Sequence, residues 1–151
     1  MAKQMIKTLS MLMLLAVVAL ATNAVQAQTS RRVVATVPFS FIVGDKELPA
    51  GTYGVQPTTI GSGVLKIAGT ENAKSTVRLS TSLRRSNAGT GKLVFHRYQD
   101  QYFLSEIWQT GESGGRQLMK SSREKAAQRD QLASNVGKQA YQVIEVMVVG
   151  Q

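Results

Sequence analysis

From Lys92 to Trp108 the chain reads KLVFHRYQDQYFLSEIW, and this stretch limits the fold more than any other. It gathers Phe95, Tyr98, Tyr102, Phe103 and Trp108 around a central Gln99 and Asp100, the composition of a β-hairpin. Whether the turn is Gln99 and Asp100 alone or the four residues from Tyr98 to Gln101, the register is the same. Phe95 faces Leu104, His96 faces Phe103 and Arg97 faces Tyr102. Side chains alternate along a strand, so one face carries Leu93, Phe95, Tyr102, Leu104 and Trp108, and the other Val94, His96, Tyr98, Phe103 and Ile107. Neither face is polar. A hairpin that is apolar on both sides must be covered on both sides, which predicts that it lies in the middle of a layered structure.

The rest of the chain supplies short strands and turns. Val33 to Val37 is β-branched and Pro38 interrupts it, so the first strand is an edge or bends there. Phe39, Phe41 and Val43 lead to Gly44 and Asp45, a tight hairpin turn, with Lys46 to Leu48 returning. Pro49 to Gly51 suits a type I turn before a short strand at Tyr53 and Val55. Val64 to Ala68 is a further short strand. From Ser75 to Leu83 polar and apolar residues alternate, the pattern of a strand with one wet face.

Beyond Trp108, Gly111, Gly114 and Gly115 are expected to end the sheet. Ser121 and Glu124 form a capping-box pattern at the head of a helix from Ser121 to Ser134, whose thin apolar stripe predicts a surface position. Ala140 to Val149 reads AYQVIEVMVV, which predicts a last strand buried on both faces and paired near the centre of the sheet. The fold expected is all-β: an antiparallel sandwich or partly open barrel of seven or eight strands with one surface helix near the C-terminus. Most of the strands are shorter than the roughly 9 to 11 residues that a membrane-spanning strand needs.

Lys3 and Lys7 precede an apolar run from Leu9 to Ala21 and a neck ending in Val25, Gln26 and Ala27. This is the pattern of a secretory signal peptide, with residues 1–27 removed by a cut between Ala27 and Gln28 and residues 28–151 left as a single β-rich domain. The mature chain then has 151 − 27 = 124 residues, and losing two lysines takes its formal charge from +9 to +7. The sequence has no cysteine, so it folds on packing alone, without disulfides or thiolate metal sites. Localisation to the bacterial periplasm or the extracellular space follows from this reading.

Export changes what a basic protein meets. An anionic envelope polymer or a lipid surface becomes the candidate partner in place of a specific nucleic acid, and no transmembrane span remains in the mature chain. The sixteen basic side chains left after cleavage, 18 − 2, stand in ones and twos, as on solvated faces.

Little of the sequence suits catalysis. His96 is the only histidine and has neither a nucleophile elbow nor a second nitrogen ligand to work with. Gly89 to Lys92 resembles the end of a phosphate loop, but Ser86 stands where its first glycine belongs and Leu93 where a hydroxyl should follow. Glu106 is the best placed acid for glycoside hydrolysis, with no marked partner. Arg97, Tyr98, Tyr102 and Trp108 would suit stacking on sugar rings as surface-binding residues, but the same residues make an ordinary core, which is the favoured reading. No catalytic, cofactor or metal residue is assigned.

Three phrases, Val37 to Tyr53 (VPFSFIVGDKELPAGTY), Lys92 to Trp108, and Gly115 to Glu124 (GRQLMKSSRE), together resemble a family of short exported proteins of the acidobacterial type. The resemblance covers most of the mature chain and implies export, but it brings no activity, ligand or catalytic residue with it. Gln99 stands where that family's turn has glycine, and Met119 where it has proline. The function expected is a non-catalytic envelope or matrix module that binds a partner or polymer, and the alternative a polysaccharide hydrolase using carboxylates such as Glu106. Mass spectrometry of the exported protein should find a chain beginning at Gln28; recovery of the intact N-terminus in the cytoplasm would refute the signal assignment.

Overall fold

Turn chemistry decides where the strands stop. The structure, a computed structural model, describes residues 32–149 apart from 60, 72 and 135–139. The signal segment and the cut between Ala27 and Gln28 lie outside the described residues. Gly44, at φ +67°, takes the left-handed conformation that lets β2 (Phe41–Val43) fold back as β3 (Lys46–Leu48). Before them runs β1 (Val33–Val37), which ends at Pro38 as expected, and after them β4 (Gly51–Pro57), β5 (Val64–Gly69) and the long β6 (Ser75–Gly89). The aromatic hairpin forms β7 (Lys92–Tyr98) and β8 (Gln101–Trp108). Then come β9 (Glu112–Leu118), helix α1 (Ser122–Ser134) and β10 (Gln142–Met147).

These ten strands make one mixed, unclosed sheet in the order β1-β4-β5-β6-β9-β8-β2-β3, with β7 on the other side of β8 and β10 beyond β7. Two long strands are shared between neighbours. The first part of β6 pairs β5 through Leu79, and its second part pairs β9 from Ser80 onwards. One edge of β8 likewise meets β9 near Trp108 and β2, in parallel, near Phe103. The architecture is therefore all-β and partly open, with one described helix near the C-terminus. It has ten strands where seven or eight are expected, and one of the additional strands is β9, which runs through Gly114 and Gly115 instead of the sheet ending there.

The core fills the inner face. Val33, Ala35, Val37, Phe41, Tyr53, Val55, Leu65, Ile67, Leu93, Phe95, Leu104 and Ile107 form one buried cluster. Phe41 meets both Tyr53 and Phe95 edge-on, with ring centroids 4.9 and 5.4 Å apart, contacts worth about 0.5–1.5 kcal/mol each beyond their buried area. The sheet curls enough that the Val149 N–H, just past β10, donates to the Val34 carbonyl of β1 at 2.9 Å.

The hairpin pairs as its sequence predicts, Phe95 with Leu104, His96 with Phe103 and Arg97 with Tyr102. Gln99, at φ +51°, holds the first position of the two-residue turn, the left-handed setting of a type II′ turn that glycine fills most easily. Beyond Leu104 the register shifts, since Val94 pairs with Glu106 and Ser105 is left over as a bulge. The extra residue exchanges the faces expected for the end of β8. Ile107 turns into the core, and Trp108 turns to the outer face with Val94 and Glu106.

Two further strands differ from expectation. In β6, Arg78 and Thr76 pair with the core residues Leu65 and Ile67, so the outward face carries Val77 and Leu79, 53% and 62% exposed. The wet face is the apolar one, because β5 already fills the core at that level and paired residues share a face. The last strand, expected to be central and buried on both faces, pairs only β7 along its length. Ile144, Val146 and Val148 pack on the core, while Val143 and Met147 are exposed. Alternation decides this: a strand at the edge of a singly covered sheet buries one side only.

On the outer face Trp108 is only 8% exposed although, among the described residues, no strand layer covers it. It lies across Gly115 of β9, where an added Cβ would sit 2.5 Å from the indole, and the Arg85 guanidinium lies 4.9 Å from its ring centroid. Arg85 is held there by bonds to the carbonyls of Glu112 and Thr90. Gly115→Ala should therefore cost about 1–3 kcal/mol by forcing the indole off its seat. Gly114→Ala, where an added methyl meets nothing within 4 Å, should cost clearly less, as urea denaturation of the two variants will show.

Candidate functional site

The sequence-predicted surface residues do not share one site. Arg97 and Tyr102 are cross-strand neighbours near the hairpin turn, with the guanidinium 5.4 Å from the ring centroid and Phe39 stacked on Tyr102 at 4.1 Å. Tyr98 is buried, on the outer face. Trp108 stands at the opposite end of β8 beneath Arg85.

What the fold does assemble is a buried polar cluster between α1 and β7. Ser121 caps the helix, its Oγ accepting the Glu124 N–H at 3.1 Å, as the capping box predicts. The Glu124 side chain turns towards the sheet. It is 5% exposed, and its Oε1 accepts the Tyr98 hydroxyl at 3.2 Å and lies 3.3 Å from His96 Nδ1, which assigns the ring proton to Nδ1. The Lys120 ammonium donates to the Tyr98 oxygen and to Gln128 Oε1, and the Tyr141 ring stacks on His96 at 4.0 Å. Ile42 and Phe103 complete a small apolar patch with Tyr98, against which Ala127 and Tyr141 pack.

Sequence reasoning found Ser121 and His96 but gave Glu124 only its capping role. A signal was present. Glu124, Ala127, Gln128 and Gln131 recur at i, i+3, i+4 and i+7, one helical face, and all four make contacts off the helix. Three of the four are polar, so the stripe does not read as a buried helix face.

The acid singled out from sequence is also engaged. Glu106 Oε2 accepts the Trp108 indole N–H at 2.8 Å. Glu106 pairs across the ladder with Val94, and Val94 with Glu145 of β10, whose carboxylate meets Lys92 at 2.6 Å. The two acids thus flank one valine in a single cross-strand row. On β5 and β6 lies a different surface, where outward Val77 and Leu79 stand across from Lys66 and Val64.

Among the described residues no helix is long and apolar enough to cross a membrane. Compared with known proteins, the chain matches no family model, no curated protein and no solved structure.

Burial, followed by the neighbouring Glu124 carboxylate, pushes the Tyr98 phenol well above its ordinary value of about 10. Its neutral form is therefore favoured by folding. The resulting stability is complete below the unfolded value and is lost as pH rises beyond it. Thermal unfolding followed by circular dichroism should show a midpoint that falls as pH climbs past about 10. Tyr98→Phe should flatten that fall while costing about 0.5–1.5 kcal/mol at neutral pH for the lost hydrogen bond.

Proposed function

We propose that this protein is a non-catalytic module of the bacterial envelope or surrounding matrix, exported by cleavage after Ala27, that binds a partner or polymer. The observation that carries this reading is the outward strip of β5 and β6. Val77 and Leu79 are large, apolar and exposed, and Lys66 stands exposed directly across from Val77. Apolar side chains beside an ammonium on a flat sheet face suit an amphiphilic anion, which favours an anionic envelope polymer or lipid surface. The net positive charge of the mature chain acts in the same direction. The polar groups that could have run chemistry are occupied with one another: Glu124 with His96 and Tyr98, Glu106 with Trp108, and Glu145 with Lys92.

A second reading, a polysaccharide hydrolase, is favoured by one observation, the alignment of Glu106 and Glu145 on either side of Val94. Two strand spacings separate their backbones, roughly 9.5 Å, a span compatible with the carboxyl separation of inverting glycosidases. Both acids are already engaged, Glu106 with Trp108 and Glu145 with Lys92, which weighs for the binding module.

Arrays of anionic glycans together with vesicles of anionic lipid should retain the mature protein, and the double substitution Lys66→Glu with Leu79→Ser should reduce retention at least about tenfold at unchanged stability. Turnover of any glycan on the array that is lost in Glu106→Gln, with folding intact, would replace this reading by the hydrolase.

A further inference from the structure

Helix α1 buries a carboxylate and almost no hydrocarbon. Glu124 is its one buried described residue, Ala127 packs partly buried on the small patch below, and Leu132 is exposed. A helix this short does not persist on its own propensity, and this one has little apolar contact to hold it. What holds it is polar and converges on Glu124.

The groups that face that carboxylate come from three directions. From β7 come the His96 imidazole and the Tyr98 hydroxyl. The segment before the helix brings the Lys120 ammonium, on the Tyr98 oxygen, and the segment before β10 brings the Tyr141 phenol, against His96. Elsewhere the helix has the exposed Arg123 pair with Glu47 at 3.6 Å and the Gln131 side chain accepting the Gln99 N–H. Both are in contact with solvent and weakly held.

A charged Glu124 satisfies its two donors and offsets the cation at Lys120. Once protonated it no longer offsets that cation, and its bonds to the two donors lose their charge assistance. One of its oxygens becomes a donor, and an imidazolium formed at His96 then shares a largely buried space with Lys120 and no counter-charge.

We propose that α1 is an acid-released strap. While Glu124 carries its charge, the helix is held over the patch formed by Ile42, Tyr98 and Phe103; protonation of the cluster frees the helix and bares the patch. The rest of the sheet, whose core of aliphatic and aromatic side chains does not titrate in acid, stays folded. This device lies on other strands than the β5–β6 strip and does not depend on what that strip binds.

Hydrogen exchange of the mature protein tests it, after correction for the intrinsic pH dependence of exchange. Between about pH 7 and about pH 4, the span in which carboxyl groups and histidine ordinarily titrate, amides of residues 125–134 should lose at least about tenfold in protection. Amides of β1 and β7 should keep theirs, and a hydrophobic dye should bind in step with the loss. Glu124→Gln, which keeps the shape and removes the charge, should show the low helix protection already at neutral pH, with the pH response gone. The proposal is overturned if helix and core lose protection together, if the helix keeps its protection in acid, or if Glu124→Gln behaves as the parent does. Should that variant fail to fold, the titration of the parent protein alone decides. A response that disappears in His96→Gln but persists in Glu124→Gln also overturns it.

Discussion

Burying both faces of β7 and β8 is the constraint on which the rest of the structure depends. The inner face is met by the main core, where Phe95, Leu104 and Ile107 join the residues of β1, β4 and β5. Among the described residues the outer face has no second sheet to meet, and it is covered piecemeal. Near the turn, α1 and Tyr141 close over His96, Tyr98 and Phe103, while at the far end Trp108 lies on Gly115 beneath Arg85. A glycine that read as the end of the sheet is the seat of its only tryptophan.

Covering an apolar face with a short polar helix has a chemical consequence. The helix cannot contribute much hydrocarbon, so its attachment is concentrated in hydrogen bonds to one buried carboxylate. Such a group is stable only while every partner is in place, because an unpaired buried charge or donor is costly where water is excluded.

The two apolar surfaces left in the open arise from the same alternation. In β6 the core side is taken up by Thr76 and Arg78, with the Arg78 guanidinium packed beside Gly44 of the β2–β3 turn. Val77 and Leu79 are left facing outward. In β10 the inward set of Ile144, Val146 and Val148 meets the core, and Val143 and Met147 are exposed. An exposed β-branched strand at a sheet edge is an aggregation hazard in general, and here Lys92 and Glu145 place an ion pair on that surface.

Local pattern was enough for the strands other than β9, the hairpin register, the proline-ended first strand and the Ser121 cap, because each is determined by neighbours within a few residues. The exchange of Ile107 and Trp108 was beyond that reach, since one bulged residue at Ser105 reverses every later side chain and nothing nearby announces it. The edge position of β10 and the outward turn of Val77 and Leu79 were likewise decided by which strands found one another. An alternating strand states that its two faces differ, and only its partners decide which one is inside. Glu124 shows the limit most clearly: its capping role is local, but its burial beside His96 and Tyr98 depends on residues some 26 and 28 positions earlier. That approach exists only once the helix has crossed the sheet.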